Sequence, residues 1–200
     1  MLKLRPPFRY GIVTCSFTDG SQQETVYRGA YPTVKNFRFL CRLGLKTIIS
    51  LVSEDTVTED LVSFCSSNNI NHCVMDAKRI DEILKILTNK ACLPAYVHCL
   101  DGVVSTGTVV ACLRTLQHWN MSAIVSEFSR YTKKKVMTDE ERAFLSMFDP
   151  QCIKLSPDAA ASWLPSPPEI ATTPPADSAG KDTNEKEAPS SQIQDHPSGN

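Results

Sequence analysis

The chain has 200 residues, of which 42% are hydrophobic and 22% charged, with a formal net charge of -1. Those proportions fit one globular domain and exclude a wholly disordered or membrane-embedded chain. Before Pro150 there are 18 basic and 15 acidic residues, and from Pro150 onward 3 and 7, so the first part is mildly basic, which suits an anionic ligand but falls far below a nucleic-acid binder.

Apolar residues are unevenly spread. Phenylalanine stops at Phe148, and nine of the thirteen prolines lie from Pro150 on, where Trp163 is the only aromatic residue. Such a segment buries too little surface to offset its ordering entropy. The expected organisation is a domain over residues 1–149 and a disordered tail over residues 150–200. Neither a signal-peptide order nor a run of roughly 18 to 20 apolar residues is visible, so a cytoplasmic protein without a membrane span is expected. The eight cysteines (15, 41, 65, 73, 92, 99, 112 and 152) form no C-x-x-C pair, and no His cluster has metal spacing. They read as reduced thiols, mostly buried in apolar runs, with no cofactor and no metal.

In chain order, Val26–Arg28 reads as a short strand. After Pro32, residues Thr33–Leu43 place Phe37, Leu40 and Cys41 on one helical face, and Gly44 stops that helix. Thr47–Leu51 is β-branched and apolar, as a buried parallel strand requires. Thr56 and Glu59 have capping-box spacing ahead of a helix with Leu61, Val62 and Cys65. Ile70–Met75 reads as a strand, Ile80, Ile83, Leu84 and Leu87 as an amphipathic helix, and Ala95–His98 as the next strand. A helix opening at Thr106 carries Val109, Val110, Leu113 and Leu116; Asn120 caps another with Ile124, Val125, Phe128 and Tyr131; Thr138 and Glu141 cap a last one with Phe144, Leu145 and Phe148. This alternation predicts an α/β fold with a central, mostly parallel sheet of four or five strands flanked by helices.

The stretch from Cys99 to Thr106 passes from strand end through a loop with one glycine to a helix start. Such a loop points backbone N–H groups and the positive end of a helix dipole into one hollow, which makes an anion site. The same field favours a thiolate, and a nucleophile beside a phosphate cradle suggests attack on phosphorus.

His98-Cys99-x-x-Gly102-x-x-Ser105-Thr106-Gly107 resembles the protein tyrosine phosphatase signature H-C-x-x-G-x-x-R-[ST]-G, with serine at the arginine position. Val26–Pro32, Phe39–Leu40, Leu45–Leu51 and the Trp119–Tyr131 segment with Glu127-Phe128 are similar to the plant and fungal atypical dual-specificity phosphatases. Loss of the arginine makes the chain look most like a fungal member of the oxidant-induced cell-cycle-arrest set. The resemblance implies a dual-specificity phosphatase fold, with Cys99 at the nucleophile position and Leu100, Asp101, Gly102, Val103, Val104, Ser105 and Thr106 as the phosphate cradle. It further implies that Thr106 stabilises the thiolate and that His98 holds the loop from behind.

Ser105 departs from that pattern. A hydroxyl has neither the charge nor the fork of a guanidinium, which binds two phosphate oxygens at once; by analogy with other phosphoryl-transfer arginines, roughly 10³ to 10⁵ in rate is lost, on the order of 4 to 7 kcal/mol. Asp101 adds negative charge at the cradle, and Val103-Val104 stands where the family often has small or basic residues. For a general acid only Asp76 and Asp81 are at hand, and Asp81 equally suits a helix first turn. Lys78, Arg79 and Lys133–Lys135 read as solvated charges that also offer partial compensation, with Arg28 and Arg114 as alternative guanidinium sources.

Three functions compete. The first is a catalytically impaired pseudophosphatase that binds a phosphorylated protein, an inositol phosphate or related phosphatase-like proteins in a hetero-complex. The second is a slow cysteine-dependent phosphatase on phosphotyrosine or inositol pyrophosphates. The third is a thiol redox sensor using Cys99.

Overall fold

The computed structural model describes residues 4–17, 23–132, 136–154 and 156–165. Its strands are β1 (Gly11–Phe17), β2 (Gln23–Ala30), β3 (Thr47–Ser50), β4 (Asn71–Val74) and β5 (Ala95–Cys99). They form one five-stranded sheet in the order β1-β2-β5-β3-β4, with only β1 antiparallel to its neighbour. β5 is central and pairs with both β2 and β3, setting Ala30 beside Cys99 and Ser50 beside His98. The expected mostly parallel α/β sheet is therefore present with five strands. In such sheets ligands gather beyond the carboxyl ends of the strands, and Cys99 is the last residue of β5.

Six α-helices accompany the sheet among the described residues: α1 (Val34–Leu40), α2 (Glu59–Ser67), α3 (Ile80–Leu87), α4 (Val104–Leu116), α5 (Met121–Tyr131) and α6 (Asp139–Met147). They cover both faces. One core cluster joins Val26, Ile49 and Val97 of the sheet to residues of α3, α4, α5 and α6; a second joins Tyr27, Ile48 and Tyr96 to Leu40 of α1 and Leu61 and Phe64 of α2. Alternation along the strands sends neighbours Ile48 and Ile49 into opposite clusters, and β3 is buried throughout. No helix among the described residues is long and apolar enough to cross a membrane.

Several boundaries differ from the sequence reading. The first strand, β1, has no forerunner there: Gly11–Phe17 lies on the sheet edge with Ile12 exposed, so the chain shows no continuous buried run to read. β2 extends the expected Val26–Arg28 at both ends. The second helix is capped by Thr58, whose side chain accepts from the Leu61 N–H, while Thr56 closes a 3₁₀ turn at Glu54–Thr56. α4 opens at Val104, two residues before Thr106. Cys41 lies exposed in the 3₁₀ turn Cys41–Leu43, and Cys15 and Cys152 are exposed as well. All eight cysteines are free thiols. The caps at Asn120 and Thr138 are formed as expected.

The boundary at residue 149 is corrected. Pro150–Cys152 forms a 3₁₀ turn, and the chain then crosses the domain as a strap. The Lys90 N–H donates to Ala159 O at 2.9 Å, the Ala161 N–H to Thr88 O at 2.8 Å and the Ser162 N–H to Glu24 Oε2 at 2.6 Å. Ala161 is buried and Trp163 packs against the larger core cluster. Composition misled here because proline prevents regular structure without preventing an extended strap from using its carbonyls and remaining N–H groups. The rest of the expected tail, from residue 166, lies outside the described residues.

A chain ending at Asp149 is expected to lose on the order of 3 kcal/mol of unfolding free energy relative to one ending at Pro165, because it gives up an aromatic anchor and buried strap bonds. Urea denaturation of the two chains checks this, and equal midpoints would return the boundary to residue 149.

Candidate functional site

The loop between β5 and α4 is held by its carbonyl groups. Leu100 O accepts from the Tyr31 N–H at 3.1 Å, Asp101 O from Arg9 Nη1 at 3.0 Å and Gly102 O from Arg28 Nη2 at 2.9 Å. Val103 O accepts the first helical bond of α4, from the Gly107 N–H at 2.7 Å. Four consecutive carbonyls are thus engaged by the protein body, which frees the intervening N–H groups for the hollow. Gly102 has φ 73, and a Cβ there would come within 2.6 Å of the Gly29 backbone. Both the left-handed conformation and the close approach require glycine.

Cys99 is buried at the floor of a cavity of about 500 Å³ lined also by Leu51, Val52, Ser53, Thr56, Leu100, Asp101, Val104 and Ser105. Among the described residues, no lysine, arginine or histidine lines it. Asp101 turns inward: its Oδ1 accepts from the Val103 N–H at 3.0 Å and lies 3.5 Å from the Cys99 thiol. A second cavity of about 490 Å³ shares Leu51, Val52, Ser53 and Ser105 with the first and adds Glu54, Asp76 and Arg79 to its walls.

The sequence-predicted residues therefore separate. Cys99, Leu100, Asp101, Val104 and Ser105 line the first cavity, whereas Gly102 and Val103 shape the loop. Thr106 is fully buried and its hydroxyl has no hydrogen-bond partner in the structure. Asp76 borders the second cavity, where its carboxylate accepts from the Lys78 N–H at 2.9 Å. Asp81 lines neither cavity and instead lies 3.6 Å from Lys85 one helical turn on. Arg79 is ion-paired to Glu82, Lys78 is exposed, and Lys133–Lys135 lie outside the described residues.

The two internal guanidinium groups are placed as well. Arg114 is committed to Glu127 in a buried bidentate pair at 2.6 and 2.8 Å, with further bonds to Val13 O and Gln117 Oε1; it ties α4 to α5 and β1, away from the cavities. Arg28 lies under the loop, 1% exposed, with its guanidinium 3.7 Å from the centre of the Tyr131 ring. Its Nε and Nη1 have no hydrogen-bond partner in the structure. Burial lowers its pKa, and the nearby Tyr131, Glu127 and Cys99 oppose that shift.

Behind the loop runs a chain that sequence reasoning caught only at His98. His98 Nδ1 lies 3.4 Å from Cys99 O, its Nε2 lies 2.8 Å from Ser50 Oγ, and Ser50 Oγ lies 2.8 Å from His72 Nε2. A carbonyl only accepts, so Nδ1 carries the proton; Nε2 then accepts from the Ser50 hydroxyl, which in turn accepts from His72. Burial pushes the His98 pKa down to about 3 and lowers that of His72, keeping the chain neutral. Arg9, Tyr31, Ser50 and His72 are the functional supports the sequence did not reveal. For Ser50 and His72 a signal existed, polar residues inside apolar strands, but Arg9 carried none.

Because folding depresses the His98 pKa, its contribution to stability is complete above the unfolded value near 6.5 and declines as pH falls from there toward 3. His72 shifts in the same direction. Unfolding free energy is expected to drop by about 2 kcal/mol for His98 alone between pH 6.5 and pH 5, above the main carboxylate range. Denaturant titrations at both pH values check this, and a His98→Gln chain should show a shallower slope.

Residues 12–166 match the profile described as the Tyrosine phosphatase family. The OCA1 protein of Debaryomyces hansenii, whose name places it among tyrosine-protein phosphatases, is 33% identical over 159 residues, covering 71% of this chain and 81% of that relative. Inositol diphosphatase SIW14 of Saccharomyces cerevisiae is 30% identical over 152 residues, covering 70% of this chain and 53% of SIW14. The crystal structure of the SIW14 core catalytic domain in complex with citrate is similar with a TM-score of 0.64 and 27% identity, covering 74% of this chain and 89% of that one. With a five-stranded sheet, a cysteine closing its central strand and a loop whose carbonyls are tied back, the chain belongs to the tyrosine phosphatase family.

Proposed function

We propose that this chain is a catalytically impaired phosphatase-fold protein that serves as a binding subunit. The observation that carries the reading is the cavity around Cys99, whose walls, among the described residues, hold one carboxylate, three hydroxyl-bearing side chains and no basic group. A phosphate dianion entering it would meet backbone N–H groups but no guanidinium. Ser105 stands on the first turn of α4 at the cavity wall, where the signature has its arginine. Phosphoryl transfer relies on charge stabilisation of the transferring group more than on any covalent step the protein performs. The other arginines do not fill the gap: Arg114 is committed to Glu127, Arg79 is paired with Glu82, and Arg28 lies beneath the loop rather than in the cavity wall.

Cytoplasmic location and association with related phosphatase-like chains belong to this same proposal. The loop, the sheet and the caps are kept, and these are what a binding role uses.

The full chain is expected to hydrolyse p-nitrophenyl phosphate at least about a hundredfold more slowly than an arginine-containing relative, with Ser105→Arg recovering part of the difference. Robust wild-type turnover that disappears in Cys99→Ser would overturn the reading. Affinity purification at native abundance is expected to recover at least one arginine-containing relative, and to do so equally from Cys99→Ser, since the contact is structural. Elution as a lone monomer would remove the complex from the proposal.

A further inference from the structure

We infer that Asp101 is a built-in anion that occupies the cradle of this chain and excludes phosphate-like ligands from it. The inference rests on the impaired-phosphatase reading and names the residue that closes the site. The cradle is organised to receive negative charge: α4, thirteen residues long, directs its N-terminus at it, and the loop carbonyls are engaged behind it. Yet one of its donors is already spent, because the Val103 N–H points to Asp101 Oδ1 at 3.0 Å. The same oxygen lies 3.5 Å from the Cys99 sulfur, in the space a ligand oxygen above the cysteine would use.

The backbone of Asp101 fixes this side-chain position. Its carbonyl accepts from Arg9 Nη1 at 3.0 Å, and Arg9 Nε donates in turn to Tyr131 O at 3.1 Å, which anchors the residue to α5. The side chain then reaches its own loop two residues on, the arrangement an aspartate favours in a turn. Among the described residues no lysine, arginine or histidine lines the cavity beside this carboxylate, which is exposed and accepts from the Val103 N–H and the Cys99 thiol.

Behind the loop, buried polar groups stand without partners. The Thr106 hydroxyl is fully buried without a partner, and so are Nε and Nη1 of Arg28 under the loop. Ser105 and Asp101 act separately: the first withholds a positive charge, and the second supplies a negative one where the ligand would sit.

The test is calorimetric titration of the full chain with sodium tungstate, a non-hydrolysable mimic of phosphate. Wild type, Asp101→Ala and Asp101→Asn are compared, each checked for an unchanged thermal transition. Removing a unit charge a few ångströms from the anion is expected to tighten tungstate binding at least tenfold in both variants. Asp101→Asn keeps the side-chain length and the acceptor for the Val103 N–H, so it reports on charge even where the alanine variant relaxes the loop. A gain in alanine alone supports the inference and assigns the effect to the occupied N–H. Equal weak binding by all three chains, or binding by wild type as tight as by the variants, overturns it. The outcome is independent of turnover: a wild-type chain that hydrolysed p-nitrophenyl phosphate would sink the impaired-enzyme reading whatever the Asp101 variants bind.

Discussion

The Gly102 carbonyl rests on a guanidinium that has been taken out of water. Arg28 enters the core from β2, meets the Tyr131 ring and spends one nitrogen on that carbonyl. Burying a cation is costly unless bonds and opposite charge repay it, so the contact is informative about what the structure protects. Tyr31 and Arg9 hold the two preceding carbonyls, so three consecutive loop carbonyls are tied to the protein body. Gly102 is the condition for all of this: any side chain would strike the Gly29 backbone and push the loop off β2.

Charge and shape have therefore come apart in this chain. The shape of a phosphate loop is fixed from behind, by Arg28, Arg9 and the neutral His98–Ser50–His72 chain. In front of it a carboxylate lines the cavity, while Arg79 and Arg114 are paired with glutamates and Arg28 lies beneath the loop. An electrostatic contribution that depends on one or two side chains is easily lost, while a backbone held by many bonds is not. That asymmetry lets the backbone of a family loop persist where a signature side chain differs.

The fold and loop were legible because period and spacing are local properties. β3 and β5 read as unbroken apolar strands, α3 as a helical stripe, and the caps at Asn120 and Thr138 as capping residues. What escaped was set by distant partners. The edge strand β1 shows no buried run, the strap at residues 156–165 is held by backbone bonds to Thr88, Lys90 and Glu24, and Arg9 acts on a loop ninety-two residues away. The site divides along the same line. Cys99 and Ser105 were visible in a spacing, but the inward turn of Asp101 and the commitment of Arg114 to Glu127 follow only from the packed structure. Asp81, which by position suited either an acid loop or a helix first turn, lies in that first turn beside Lys85.

The rim of the cavity gives the binding reading its chemistry. Leu100 and Val104 are 63% and 50% exposed, and they flank the same opening as Asp101 and Ser105. Exposed apolar side chains beside a cavity cost solubility and return free energy only when something covers them. In an active phosphatase the ligand is grasped mainly through its charge, and such a rim adds little. On the proposed reading, this face offers apolar burial together with hydrogen bonds to Ser53, Thr56 and Ser105. A protein surface supplies both over a larger area than a phosphate group does. The proposed binding role would draw on one local composition, with Leu100 and Val104 at the mouth and Ser53, Thr56 and Ser105 along the wall.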